Sequence, residues 1–440
     1  MISFFVRLWR DRRGNALVIA AAALPLVIGS AGLASDTIEW ALWKRQLQRA
    51  ADSAAMAGVY SIVEDSGDRT DVTTAVDHDL TYNNHVGITT TKAYVGQPTS
   101  GTYSSDAYAV QVKLQVQKKL SFSGMFMSTA PTVTATATAT VVPSGHYCVV
   151  SLEDTSATGI TASGNATVNM GCGMITNSTS LTAAVATGSS TVTATPIAAV
   201  GGIDASDNWG TGTVLQPFTV AQEDPYGDID PPTPSGCKSF STYDTGNNNK
   251  PGGTVNLSSA SSMPAGGTYC LKENSGTLTI AGNVTLPSGT YVLDATSIKM
   301  TNTSASLTCH DCVFILTSSS AATNPGSIGT VSLQGGKLDI TNRTVDPYKG
   351  LMFYQDRRAQ TCTSSNCQNL INGNSSSSLQ GSAYFPSQKL TFNGTAGMTT
   401  NCLQLVARDV SYSGNMNISN TCSSTSGAHD FTGKRVRLVA

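Results

Sequence analysis

Charge is scarce in this chain, and the scarcity excludes several kinds of protein. Only 12% of its 440 residues are Asp, Glu, Lys or Arg, too few for the surface of a typical helix-rich cytosolic enzyme. A formal net charge of -2 supplies no basic field, so no nucleic-acid partner is expected. Five histidines make a four-ligand zinc set hard to assemble. The Gly-rich segments lack the Lys-Ser/Thr ending of a phosphate loop. No nucleophile, base and orienting acid can be put together, so no catalytic residue, metal or cofactor is assigned. Cysteine is also missing until Cys148.

The most telling absence is local. From Gly14 to Ser35 no residue carries a charge. About 20 such residues let a helix cross roughly 30 Å of hydrocarbon, which predicts one membrane span. Arg7, Arg10, Arg12 and Arg13 precede it, whereas Asp36 and Glu39 follow, so the positive-inside rule puts the N-terminus in the cytoplasm and exports the rest. A cleaved secretory signal is the alternative. Its apolar core is only about 7 to 15 residues long, shorter than this stretch, although Ala31 to Ala34 resembles a cleavage site. Pro25 removes one backbone donor inside the span and is expected to kink it.

Flanking this span are two separated motifs. RDRRGN contains Gly14 and Asn15; after the span come Gly32 and Asp36, then LQRAADSAAMAG with Leu47, Gln48, Asp52 and Ala54. In this order they resemble the N-terminal segment of the TadG-like proteins of the Flp/Tad pilus assembly system. The resemblance implies a single-pass protein of the bacterial inner membrane whose bulk is periplasmic and whose partners are other Tad pilus subunits. The related TadE-type pilins carry a Glu five residues after a cleaved Gly; counted from Gly14 that position is Ile19. A carboxylate in a membrane helix usually marks function, so its absence suggests an uncleaved anchor.

Three regions are expected. Residues 1–63 comprise the basic head, the span and an Ala-rich helix whose stripe of Leu47, Ala50, Ala51, Ala54 and Ala55 suits close approach of another element. That element is either a pilus subunit docking there or the chain's own β-structure. Residues 64–145 suit a small α+β domain, with a helix over 71–84 and strands over 92–97, 107–120 and 132–142. Residues 146–440 are rich in Gly, Ser, Thr and Asn and carry recurring short strands, which suit a β-solenoid, with a two-sheet sandwich as the alternative. The whole is thus mainly β. A Pro-rich stretch over 224–236 reads as an excursion or linker.

All ten cysteines (Cys148, Cys172, Cys237, Cys270, Cys309, Cys312, Cys362, Cys367, Cys402 and Cys422) fall in the exported part, where five disulfides are allowed. Pairing consecutive cysteines closes the shortest loops. Four constellations could carry chemistry. Asp154, Ser156 and Thr158 follow a strand as a DxSxS metal loop does, but lack the alternating helices of that fold. Cys309-His310-Asp311-Cys312 has CxxC spacing, and a structural disulfide at a turn is favoured over redox or zinc chemistry. Asp356, Arg357 and Arg358 resemble a fragment of a polysaccharide-lyase groove without its further carboxylates. Asn-x-Ser/Thr triplets such as Asn165-Ala166-Thr167 and Asn283-Val284-Thr285 follow from composition. The expected function is a non-enzymatic, membrane-anchored component of pilus assembly. A tethered carbohydrate-binding or carbohydrate-cleaving β-helix is the alternative.

Overall fold

The computed structural model describes residues 12–65, 67–83, 89–242, 254–255, 263–361, 367–393, 398–414, 417–421 and 431–439. The chain is mainly β and divides into two compact units, Met1–Val142 with Val436–Ala440, and Pro143–Arg435.

A single helix, α1 (Arg12–Glu64), dominates the first unit. At 1.5 Å per residue it is about 80 Å long, and Pro25 does not interrupt it. After it come α2 (Val72–Tyr82), β1 (Thr91–Gly96), β2 (Val110–Gln117) and β3 (Thr132–Ser151). The three strands pair antiparallel in the order β1-β2-β3. Val110 sits opposite Ala139, Val112 opposite Ala137 and Leu114 opposite Ala135, so large residues face small ones across the ladder. Period-2 alternation puts all of them on the face that packs against α1. Gly58 lets α1 approach its neighbours closely: a Cβ there would stand 2.9 Å from Val110 Cγ1 of β2 and 3.3 Å from both Val72 and Val76 of α2. The helix end set apart as residues 1–63 in the sequence expectation therefore shares one core with residues 64–142. Residues 436–440 also join this unit, Val439 N–H donating to Thr138 O.

In the second unit the strand pairings are parallel and fall into three ladders. One aligns Tyr269, Tyr291, Phe314, Phe353, Ala383, Leu405, Val149, Met174, Ile197 and Leu215. A second aligns Ile280, Met300, Leu333, Ile371, Phe392, Tyr412, Ala162 and Ala186. The third runs through Leu286, Cys309, Ile340 and Leu379 to Thr400 at one end, and through Val168 and Val192 at the other. Most of these side chains are fully buried in one continuous core. Like residues stack on like: the rings of Tyr291 and Phe314, and of Phe314 and Phe353, lie 5.3 and 5.5 Å apart.

Sequence order and spatial order differ. The strand Thr399–Tyr412 pairs with Ser378–Phe392 on one side and with the end of β3 on the other, so the last turns of the chain sit between its early and middle ones. Residues 217–237 follow Leu215–Gln216 and lead to Lys238, which pairs with the strand Gly267–Leu271; on the way Tyr226 and Ile229 pack on Val150, Ile175, Val313, Ile315 and Tyr384 of the first ladder's strands. The Pro-rich stretch is thus a packed strap, not a free linker. Tyr226 is 8% exposed and donates to Ser382 Oγ at 2.5 Å; Tyr384 donates to Asp224 Oδ2 at 2.7 Å; Tyr354 donates to Ile229 O at 2.5 Å.

Three of the expected disulfides are present: Cys148–Cys172, Cys237–Cys270 and Cys309–Cys312. Cys367 and Cys402 are each disulfide-bonded as well. Cys362 and Cys422, their expected partners, lie outside the described residues, as do Arg7 and Arg10.

Candidate functional site

Two of the clusters that the sequence suggests for chemistry, Cys309–Cys312 and Asp356–Arg358, are held by structural bonds. Cys309 and Cys312 flank a corner where Asp311 takes a left-handed φ of 56°. The Asp311 carboxylate there accepts from Arg343 Nη1 at 2.5 Å and from the Thr344 amide at 2.7 Å. Asp356 is fully buried, and Thr317 Oγ1 and Arg358 donate to it at 2.7 and 2.6 Å. Burial raises its pKa, but these bonds and the backbone amide of Arg358 outweigh that and hold the carboxyl below its ordinary value. Arg357 instead fastens the strap, donating to Tyr226 O and Ile229 O at 3.2 and 2.8 Å. Asp154 and Ser156 are exposed in a bend, and the Thr158 hydroxyl donates to Thr182 O. Among the described residues no three His, Cys, Asp or Glu side chains gather into a metal site.

The acidic residue next to Asp154 carries no sequence motif, yet it is the one held in the interior. Glu153 is 1% exposed and bound by Arg408, whose Nε lies 2.8 Å from Glu153 Oε2. Beside it, burial and the Glu153 charge push the Asp409 carboxyl up to about 6.

The first unit offers a different kind of site. Along α1, Val18, Ile19, Leu24, Leu26, Val27, Ile28 and Leu33 are all more than half exposed. The most apolar 18-residue stretch has a mean hydropathy of 2.0, and none of it is buried within the protein. Such a surface has no partner in water, and it suits lipid. From Trp43 onward the same helix changes character. Trp43, Leu47, Ala50, Ala51, Ala54, Ala55, Val59 and Ile62 are buried against the unit's own sheet and α2.

Leu47 is 2% exposed and Ala54 0%, so the stripe expected as a possible docking face for another subunit is occupied by β2 and β3. Gln48 bridges the polar flank, donating to Asp52 Oδ1 at 2.8 Å and to Thr136 O at 3.0 Å. Gly14 and Asn15 belong to α1, but their side chains lie outside the described residues. Pro25 is exposed within the apolar half.

Between the two halves lies a collar that the sequence did not announce. Residues 118–127 leave β2, pass a 3-10 turn at Ser123–Met125 and touch α1 at Gly32 and Asp36, one helical turn apart. Asp36 is 4% exposed and accepts from the Phe122 amide at 2.8 Å and the Ser123 amide at 2.5 Å. Desolvation raises its pKa, but bonds from Ser123 and Phe122 prevail and leave the carboxyl below its usual value. Gly32 makes room for the Phe122 ring: a Cβ on Gly32 would stand 2.3 Å from that ring. The two motif residues after the span thus have linked tasks, one binding the turn and the other admitting its aromatic ring. Leu33, Asp36, Trp40, Leu120, Met127 and Pro131 line a groove of about 440 Å³ beside them.

Comparison with known proteins agrees with this half of the chain. Residues 14–61 match the Tad family, described as "Putative Flp pilus-assembly TadE/G-like". The match begins in the apolar half of α1, includes Gly32 and Asp36, and ends within the buried Ala-rich half. No curated protein and no solved structure matches the chain.

Proposed function

We propose that this protein is a membrane-anchored envelope component that scaffolds or anchors a Flp/Tad pilus assembly machine. The observation that carries the reading is the division of α1. The apolar side chains of its lipid-suited half are more than half exposed while its second half is built into a folded unit, and the TadE/G-like match spans both. The basic head before Gly14 and the acids after Ser35 favour a cytoplasmic N-terminus in the inner membrane and a periplasmic second unit. Disulfides confined to that unit support export to an oxidising compartment.

The three parallel ladders support reading residues 147–421 as a β-solenoid, a shape that extends a long rigid surface into the envelope. The role proposed is structural, not catalytic. A sugar-binding row of aromatics would need exposed rings, whereas the ladder of Tyr291, Phe314 and Phe353 is inside the core.

Deleting the gene in its native host should abolish surface pili and pilus-dependent adherence, with restoration by the full chain. Normal piliation in the deletion strain would end the assignment. A reporter fused after Ala440 that is active only in the periplasm should be active; activity of a cytoplasmic reporter would reverse the topology.

A further inference from the structure

We propose that the collar, Leu120 to Met127, inserts into the lipid interface and gives the protein a second membrane contact beside its span. The inference rests on the reading that residues 14–35 cross the bilayer.

Depth is the first argument. Asp36 is the residue immediately after the uncharged segment, and it binds the collar's backbone. Phe122 packs over Gly32, which lies one helical turn inside that segment. If the span occupies hydrocarbon, the Phe122 ring lies at the hydrocarbon boundary. The rest of the turn lies within the roughly 5 to 7 Å headgroup layer.

The second argument is the exposed surface. Met125, Phe126 and Met127 are 70%, 75% and 46% exposed, three consecutive large apolar side chains. Met127 lines one groove with Leu33 and Trp40, themselves exposed at 58% and 47%, so the exposed turn borders the lipid-suited face of α1. Trp, Phe and Met at this level match the interfacial belt of membrane proteins.

Hydrogen bonding gives the third. A backbone segment entering a water-poor layer must satisfy its amides internally. All six consecutive amides from Phe122 to Met127 do so: two donate to Asp36, and those of Gly124, Met125, Phe126 and Met127 donate to Leu120 O, Phe122 O, Ser123 O and Ser123 O. Charge is complementary as well. From Lys118 to Pro131 the collar has no acidic residue of its own; the two carboxylates it meets on α1 are bonded to it, Asp36 by the Phe122 and Ser123 amides and Glu39 by Ser121 Oγ at 2.9 Å, while Lys118 and Lys119 are exposed and can meet anionic headgroups. Lys118 is held over the Trp43 ring, 5.5 Å from its centroid.

The test uses the full chain reconstituted in vesicles of phosphatidylethanolamine and phosphatidylglycerol. These carry a trace of phospholipid with a diazirine close to its glycerol, and labelled peptides are mapped by mass spectrometry after illumination. Label is expected on residues 120–131 as well as on the span. The variant combining Met125→Ser, Phe126→Ser and Met127→Ser changes only exposed side chains. It should lose the collar label and keep the span label and the three disulfides. As a second readout, Phe126→Trp should add fluorescence that brominated lipids quench. A labelled span with an unlabelled, unquenched collar overturns the proposal, and cross-linking of the collar to a pilus protein in cells would then assign it to a protein partner. An unlabelled span overturns the anchor reading itself, and the collar proposal with it.

Discussion

Leu405 lies in parallel register beside Val149, so strands from the two ends of the second unit are neighbours in one ladder. Leu405 also pairs with Ala383 on its other side and is fully buried. The strand carrying it, Thr399–Tyr412, therefore joins two sets of paired strands that would otherwise present unpaired edges. Leu405→Ala should cost about 2 to 5 kcal/mol, the range for a large-to-small change in a core. Urea denaturation of the full chain in detergent, followed by pulse proteolysis, should register that loss over the whole unit. Loss confined to the C-terminal peptides would contradict the pairing.

The strap provides a second point of control. Its own Tyr226 is buried against the strand below, with its ring 5.3 Å from that of Tyr384 and its hydroxyl donating to Ser382. Tyr226→Ala should destabilise the second unit by about 3 to 5 kcal/mol, as removal of a buried aromatic does. Tyr226→Phe, which keeps the packing and deletes one hydroxyl, should cost about 1 kcal/mol. Protease cleavage within 217–237 should accelerate in the alanine variant first. Equal resistance of both variants and the parent would mean that the strap contributes nothing to the stack.

Asp409 gives the second unit a pH dependence with a definite sign. Its folded pKa, about 6, is above the ordinary carboxylate value because of burial and the Glu153 charge. The folded state thus holds a proton that the unfolded chain has released, and stability falls as pH rises between about 4 and 6. Glu153 behaves oppositely: its pKa is lowered, burial being outweighed by bonds from Thr155 and Arg408, so its contribution is lost only as pH falls through the acid range. Asp409→Asn should remove the decline between about pH 4 and 6, which is on the order of 1 to 3 kcal/mol. Denaturation midpoints of the two proteins measured across that window should converge at the acid end. Parallel curves would dispose of the assignment.

Much of this fold was legible because its signals are local. Val110, Val112 and Leu114 alternate visibly, and the structure has β2 there; the apolar run before Asp36 declared a helix. Cys148 found Cys172 and Cys309 found Cys312 because short loops close most readily. The neighbour of Leu405 was hidden, since parallel pairing of distant strands leaves no mark in either. Proline content concealed the strap: Pro231 and Pro232 suggest a linker, whereas burial of Tyr226 depends on Ser382 and Tyr384 far along the chain. The collar could have been noticed. KKLSFSGMFM joins cations to exposed apolar residues without one acid, but only the bonds to Asp36 place it beside the span.

Ala54 separates the two roles first open to the Ala stripe, because the structure seats it against the chain's own sheet with no exposure. Leu is nearly as good a helix former as Ala, so Ala54→Leu leaves α1 intact and acts through packing. The added bulk should over-pack the interface with β2 and β3, at a typical cost of about 1 to 3 kcal/mol. Lower abundance and faster proteolysis of the first unit are therefore expected, with the Cys309–Cys312 disulfide of the second still formed. Asp36→Ala should act elsewhere. It strips the Phe122 and Ser123 amides of their acceptor, so the collar should become protease-sensitive near Lys118 and Lys119 while the Ala54 region stays protected. Peptide mapping of limited digests distinguishes the two sites of damage. A piliation defect in Ala54→Leu at normal protein level and normal protease resistance would show instead that this helix face meets another subunit.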